Sequence, residues 1–322
     1  MFFLHITSNL YKSKLITLYI CKDIKLRNYQ LKISFTFIFL FFYSIPYAIA
    51  TSPNEVFQEA ENLTLNIQEI RRQQKITTEA RKPGVQIAKT PIHAYTKALE
   101  VFEKVSRFNA LKGWPVSKTP GLPNTKVLPS DVLQLVTEIA GELQAINQKM
   151  GITFTKTAKL PIGKTPSDVY EILWFCSYLL DDLAGGISPT YVYRNTVRIE
   201  KSLLVIANKL NKSTDITEPL LEKGLKPIDA NIEGFKVLYQ LVDFEKKNKM
   251  PPVRVSGFPA GKITPADVYD TTNNIIAELT RINIKMSLPS VPHVDLSREK
   301  ITPNEVVFQL KKVQLLLNNI SL

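Results

Sequence analysis

Gly163-Lys164-Thr165 has the closing residues of a phosphate-binding loop, where a lysine and a hydroxyl would meet the outer phosphates of a nucleotide and its metal ion. Such a loop also needs glycine at position 158, where Ala158 stands. Pro166 follows at the point where the helix start should offer a backbone N–H. The related string Gly261-Lys262-Ile263 lacks the hydroxyl. Nucleotide chemistry is therefore not expected. Nor do the other reactive types assemble. Beyond residue 50 the histidines are His93 and His293, in different contexts and with no second His or Cys at ligand spacing, so no zinc site is expected. Neither G-x-S-x-G nor H-E-x-x-H occurs. Asp181 and Asp182 are adjacent, so on a helix they point apart and read as solvated charge near the stop at Gly185. Cys176 falls on the apolar stripe Val169, Leu173, Cys176, Leu180, Leu183 and reads as a buried, inert thiol. No catalytic set, metal or cofactor is expected.

One polar set recurs. Glu142, Asn147 and Lys149 return as Glu278, Asn283 and Lys285, each time at the end of a helical stripe. These six are the candidate ligand-binding residues. The alternative is a packing role, in which the inward-facing Asn ties down the backbone of the following linker. Aromatic residues form a second group, with Phe57, Tyr95, Tyr170, Tyr193 and Tyr269 near helix starts and Trp114 in a linker. Tyr and Trp suit interfaces because they join a large contact area to a polar handle, and they equally suit linkers packed on helices.

These residues recur because the chain does. Residues 115–150 laid on 251–286 match at fourteen of thirty-six positions without a gap, where chance would give about two. The offset of 136 also pairs Ser52-Pro53 with Ser188-Pro189 and Pro91-Ile92 with Pro227-Ile228. The expected organisation is a signal region, 1–50, followed by two tandem copies, 51–186 and 187–322. Within each copy prolines return about every 38 residues, at 53, 91, 129 and 166, then at 189, 227, 265 and 303.

Each proline opens a helix start. In Ser52-Pro53-Asn54-Glu55, Thr165-Pro166-Ser167-Asp168 and Thr264-Pro265-Ala266-Asp267, the hydroxyl caps an orphan N–H and Pro sits where no N–H is needed. The acid two residues after the proline reaches back to complete a capping box and suits the positive end of the helix dipole. Stripes such as Val132, Val136, Ile139, Leu143, Ile146 and Met150 follow at helical spacing. The expected fold is all-α, two four-helix units with long Pro/Gly/Lys-rich connections. Residues 172–183, apolar most of the way round, predict the most buried helix of the first copy. The connections are long enough to run back along a whole helix, which would let successive helices lie parallel. Only the junction at Gly185-Gly186 is short, which predicts an antiparallel hairpin of the fourth and fifth helices.

The chain carries a net charge of +12, and residues 51–322 hold 35 basic residues against 28 acidic ones. This mild excess has no dense run of the kind a nucleic-acid arm shows. Lys118, Lys126, Lys156, Lys159, Lys164, Arg254 and Lys262 lie in the linkers, which allows weak attraction to anionic surfaces. Residues 33–50 form an apolar run behind basic residues, ending in Ala48-Ile49-Ala50, the layout of a secretory signal. An uncleaved membrane anchor is the alternative, since eighteen residues can just span a bilayer, but Pro46 and the small-residue end favour cleavage. The basic region before it is long, and translation from near Leu31 at a non-standard codon would leave a signal of ordinary size. The expected function is that of an exported, non-enzymatic binding or scaffold protein of the periplasm or cell exterior, with a protein partner in the cell envelope. The alternative is a small-molecule sensor or carrier with one interhelical pocket per copy. Cleavage after Ala50 predicts that N-terminal sequencing of the exported protein begins at Thr51; protein retaining Cys21 would count against it.

Overall fold

The computed structural model describes residues 51–252, 254–295 and 300–321, and residues 1–50, where a signal region is expected, lie outside them. Eight helices occupy the described residues, with no strand. They are α1 (Pro53–Gln73), α2 (Pro91–Leu111), α3 (Pro129–Met150), α4 (Pro166–Ala184), α5 (Pro189–Lys209), α6 (Pro227–Lys247), α7 (Pro265–Lys285) and α8 (Pro303–Ser321). Each begins at one of the eight prolines. The capping acids act as the sequence implies: the Ser52 N–H donates to Glu55 at 2.9 Å, Thr165 to Asp168 at 2.8 Å, and Thr302 to Glu305 at 2.8 Å. At Leu128 and Lys226, which offer no hydroxyl, the backbone N–H still reaches Asp131 and Asp229 at 2.7 Å. In α2 a histidine takes the acid's place, and Nδ1 of His93 accepts from the Thr90 N–H at 3.2 Å.

The helices form two groups of four. α1 and α2 each pack against both α3 and α4, while α1 does not touch α2 and α3 does not touch α4. The first and second helices thus sit on one diagonal and the third and fourth on the other, and α5–α8 repeat the pattern. Pro53, Pro91, Pro129 and Pro166 surround one small void with Val56, Ala94, Val132 and Val169, so all four helices of the first unit start at the same end and run parallel. Pro189, Pro227, Pro265 and Pro303 meet in the same way in the second unit. A helix of about 20 residues is about 30 Å long, and each return linker has 15 to 17 residues, enough to cover that distance when extended. Four positive helix ends side by side repel one another. The carboxylates of Glu55, Asp131 and Asp168 offset that charge in the first unit, as do Asp229, Asp267 and Glu305 in the second.

The core runs through both units. Ile67, Val136, Ile139, Leu143, Leu173 and Cys176 are fully buried in the first, and Ile199, Val237, Ile275, Leu279, Leu310 and Val313 in the second. Burial pushes the Cys176 thiol up to about 12, and its Sγ lies 3.1 Å from the Thr64 hydroxyl, so it is an inert core group. No described helix is long and apolar enough to cross a membrane.

Two expectations change. The most buried helix of the first unit is α2, with 16 of its 21 residues buried, against 11 of 19 in α4. Its polar residues Lys97, Glu100, Lys104 and Asn109 are enclosed because α2 also faces the second unit. The short junction does not make a hairpin either, since α4 and α5 share no packing. Gly185 takes φ 78° and ψ 148°, a conformation open to glycine that does not fold the chain back along α4. The units meet instead through α2 and α7, which cross antiparallel: His93 approaches Glu278, Glu100 approaches Asn273 and Glu103 approaches Tyr269.

Two glycines test the packing. A Cβ on Gly234 of α6 would stand 2.8 Å from the Thr271 methyl, and Thr271 is locked by its bonds to Asn231 and the Asp267 carbonyl. Gly234→Ala should therefore destabilise by about 1–3 kcal/mol despite the gain in helix propensity. Gly141→Ala, on the exposed side of α3 with nothing within 4 Å, should stabilise by about 0.5–1 kcal/mol. Urea unfolding of both variants checks the opposite signs.

Candidate functional site

Lys89, His93, Lys97, Glu100 and Lys104 stand three or four residues apart, so α2 and the two residues before it carry them on one side. α7 opposes them with Asp270, Asn273, Asn274, Glu278 and Arg281. A charge in this setting must be paired, because leaving water costs several kcal/mol per ion. The Lys97 ammonium, fully buried, lies 2.7 Å from both Glu100 and Asp270. Burial opposes its charge, but Asp270 and Glu100 outweigh that and hold its pKa above the ordinary lysine range. For Glu100 burial likewise works against ionisation, and Lys97 and Lys104 overcome it and lower the carboxyl. The Ser177 hydroxyl donates to Glu100 at 2.5 Å, and the Tyr170 hydroxyl donates to Asp270. Lys104 reaches Asp181 and the Ser177 carbonyl, which explains one of the two adjacent aspartates; the other, Asp182, pairs with Arg71.

His93 closes one end of this network. Its Nδ1 accepts from Thr90, so the ring proton sits on Nε2, 2.8 Å from Glu278. Burial, with Lys89 and Arg281 nearby, pushes the imidazole well below the ordinary histidine range and keeps it neutral. Burial also raises Glu278, while Arg281 pulls the other way. Lys89 is the exception among the buried cations. Its ammonium donates to the Asn274 side chain at 2.8 Å and lies 4.8 Å from the centre of the Tyr170 ring, without a carboxylate at ion-pair distance among the described residues. Burial lowers it to about 8, partly offset by Asp270.

Beside this network a cleft of about 520 Å³ opens between the units. Trp174 and Tyr178 of α4 form one wall; Phe235 and Leu238 of α6, with Phe258 of the following linker, form another. The Phe235 and Phe258 rings lie 4.9 Å apart. The linker residues Arg81–Gln86 and Arg254–Ala260 make the rim. Arg81 bridges the units, pairing with Asp267 at 2.9 Å while its guanidinium lies over the Tyr178 ring. Three buried polar atoms on the lining, the Tyr178 hydroxyl, the Ser256 hydroxyl and Oδ1 of Asp267, have no hydrogen-bond partner, and a fourth, Oε1 of Glu278, has only His93 Nε2 near it, at 2.8 Å. A second cavity, about 620 Å³, lies among Leu99, Glu103, Arg198, Tyr269 and Pro292, and none of its lining atoms is left unpartnered in this way. No group of three His, Cys, Asp or Glu among the described residues could hold a metal ion.

The six residues expected to bind ligand do not converge. Glu278 alone lines the cleft. Glu142 accepts from Asn109 and Ser117, and Lys149 lies over the Trp114 ring. Asn147 donates to Asn66 at 2.8 Å and borders a separate groove of about 350 Å³. Asn283 donates to Ser202 and to the Pro289 carbonyl, which anchors the linker after α7, and Lys285 is exposed. Among the expected aromatics, Tyr170 joins the buried network, Tyr269 lines the second cavity, and Trp114 packs edge-on against Phe108. Lys89, His93, Asp267, Asp270 and Asn274 gather at the cleft, and no sequence motif marks them as a set. Their helical spacing was visible, but a polar stripe ordinarily marks a solvated face.

The chain matches no known protein family, no curated protein and no solved structure.

The network predicts a large effect from one substitution. Lys97→Met leaves Asp270 and Glu100 buried with one cation fewer and should cost about 3–5 kcal/mol. Adding Asp270→Asn should recover part of that loss, because the uncompensated charge goes too. Chemical denaturation of the single and double variants measures both.

Proposed function

We propose that the chain is a non-enzymatic binding protein that acts outside the cytoplasm and holds a small molecule in the cleft between its two units. The observation that carries this reading is the set of buried, unpartnered polar atoms, Tyr178 Oη, Ser256 Oγ and Asp267 Oδ1, around an aromatic-walled space of about 520 Å³. Buried polar groups are ordinarily hydrogen-bonded, and binding sites join apolar walls to a few convergent polar atoms; the other unpartnered atoms, such as those of Ser106, Asn147 and Asn283, lie away from this cleft. The reading places one site between the units rather than one pocket in each copy. Neutralised charges support binding over chemistry, since Asp267, Asp270 and Glu278 are each engaged by a cation or a histidine. A role as a scaffold for an envelope protein has separate support from Ile228, Ile232 and Tyr239, which share one side of α6 and are 42%, 41% and 58% exposed.

Protein purified from its native host, denatured and analysed by mass spectrometry, should release a stoichiometric small molecule. Trp174→Ala should reduce that yield at least tenfold. Retention of a protein partner with no small molecule, together with no thermal shift from any member of a metabolite library, would overturn the proposal in favour of the scaffold.

A further inference from the structure

We infer that the cleft takes a small organic anion, with its charged head against Lys89 and a flat apolar body against the Trp174 and Phe258 rings. This rests on the cleft being the binding site and adds the chemical class of what it binds. The argument is a balance of charge. Each carboxylate on the lining is already engaged: Asp267 by Arg81, Asp270 by Lys97 and Tyr170, and Glu278 by Arg281 and His93. Three lining cations, Lys82, Lys89 and Arg254, have no carboxylate at ion-pair distance among the described residues. Two of them stand exposed at the rim and attract anions only weakly. Lys89 is different because it is 9% exposed, and a buried ammonium that meets only an amide oxygen and a π face is short of negative charge. The unpartnered hydroxyls of Tyr178 and Ser256 can donate to an anion as well as accept. Oδ1 of Asp267 can only accept, so the edge of the ligand near it carries a donor, such as a hydroxyl or amide N–H.

Burial also weakens Lys89 as a base, to about 8, so its charge titrates in an accessible range. The charged and titratable groups facing it are His93 and Lys97 of α2, Tyr170 of α4, and Asp270 and Glu278 of α7. His93 stays neutral and Lys97 stays charged, and Lys89→Met separates the titration of Lys89 from that of Glu278, whose carboxyl burial also raises.

Two fluorescent probes with the same apolar body separate the possibilities: 1-anilinonaphthalene-8-sulfonate, an anion, and N-phenyl-1-naphthylamine, its neutral counterpart. Titration of the protein comprising residues 51–322 should give at least tenfold tighter binding of the anion at pH 7. That ratio should fall toward one in Lys89→Met and at pH 9, and be kept in Lys89→Arg. Gly257→Trp, which fills the mouth from a linker position with open space around it, should block both probes without disturbing the core. Equal affinities that are both lost in Gly257→Trp would overturn the anion and leave the cleft standing. Binding unaffected by Gly257→Trp but lost in Ile232→Glu would place the probes on α6 and overturn both readings, as would no binding of either probe.

Discussion

Four prolines meet at one end of each unit, and much of the architecture follows from the direction they impose. Helices that all start together cannot be joined by tight turns. The chain must travel back the length of a helix before the next can begin, which is why linkers such as 74–90, 112–128 and 248–264 are so long. Those linkers then lie over the helices as walls. Two of them carry Arg81 and Phe258 to the cleft, so the space between the units exists because the helices are parallel. The aligned dipoles oppose this arrangement, and the acid near three of the four helix starts in each unit is the local remedy. One residue type at one helical position thus answers both a capping need and a long-range charge problem.

The contact between the units is governed by different physics. It is polar at its centre, where Lys97 joins Glu100 to Asp270 and Tyr170 joins Asp270 from a third helix. An apolar contact would tolerate a slide of one helix along the other. Here a shift of one turn takes Lys97 away from Asp270 and His93 away from Glu278, leaving several charged or polar groups stranded. The network therefore fixes the register of α2 on α7. Its other consequence is Lys89, which this register carries beside the carboxylates but not into contact with one.

Helix number, helix starts and the long connections were legible in the sequence, because capping and apolar spacing are local signals. The string Thr264-Pro265-Ala266-Asp267 announces α7 whatever surrounds it. Cys176 was legible for the same reason, as a member of an apolar stripe. The meeting of α2 with α7 was not. Nothing in the text near Lys97 names Asp270, which lies 173 residues away, and a polar stripe without a partner in view reads as solvent-facing. The recurrence of Glu142 and Glu278 does not carry over to their surroundings. The two glutamates hold equivalent places in the repeat, yet Glu278 faces another unit and Glu142 is bound by Asn109 and Ser117. Repetition located a helix end, and the different surroundings of the two units decided what that end does.

Placing the first two helices of each unit on a diagonal also sets an order of events during synthesis. When α1 is complete, the helix that follows it cannot shield it, because α1 packs on α3 and α4 only. Its first partner is finished at Met150, about 77 residues after Gln73. At the pace of translation this is a delay of several seconds, during which Val56, Leu63, Ile67 and Ile70 have no native neighbour on another helix. The same interval recurs for α5, which waits for α7. A chain laid out in this way is born with its apolar stripes open and depends on whatever escorts it until the third helix of each unit arrives.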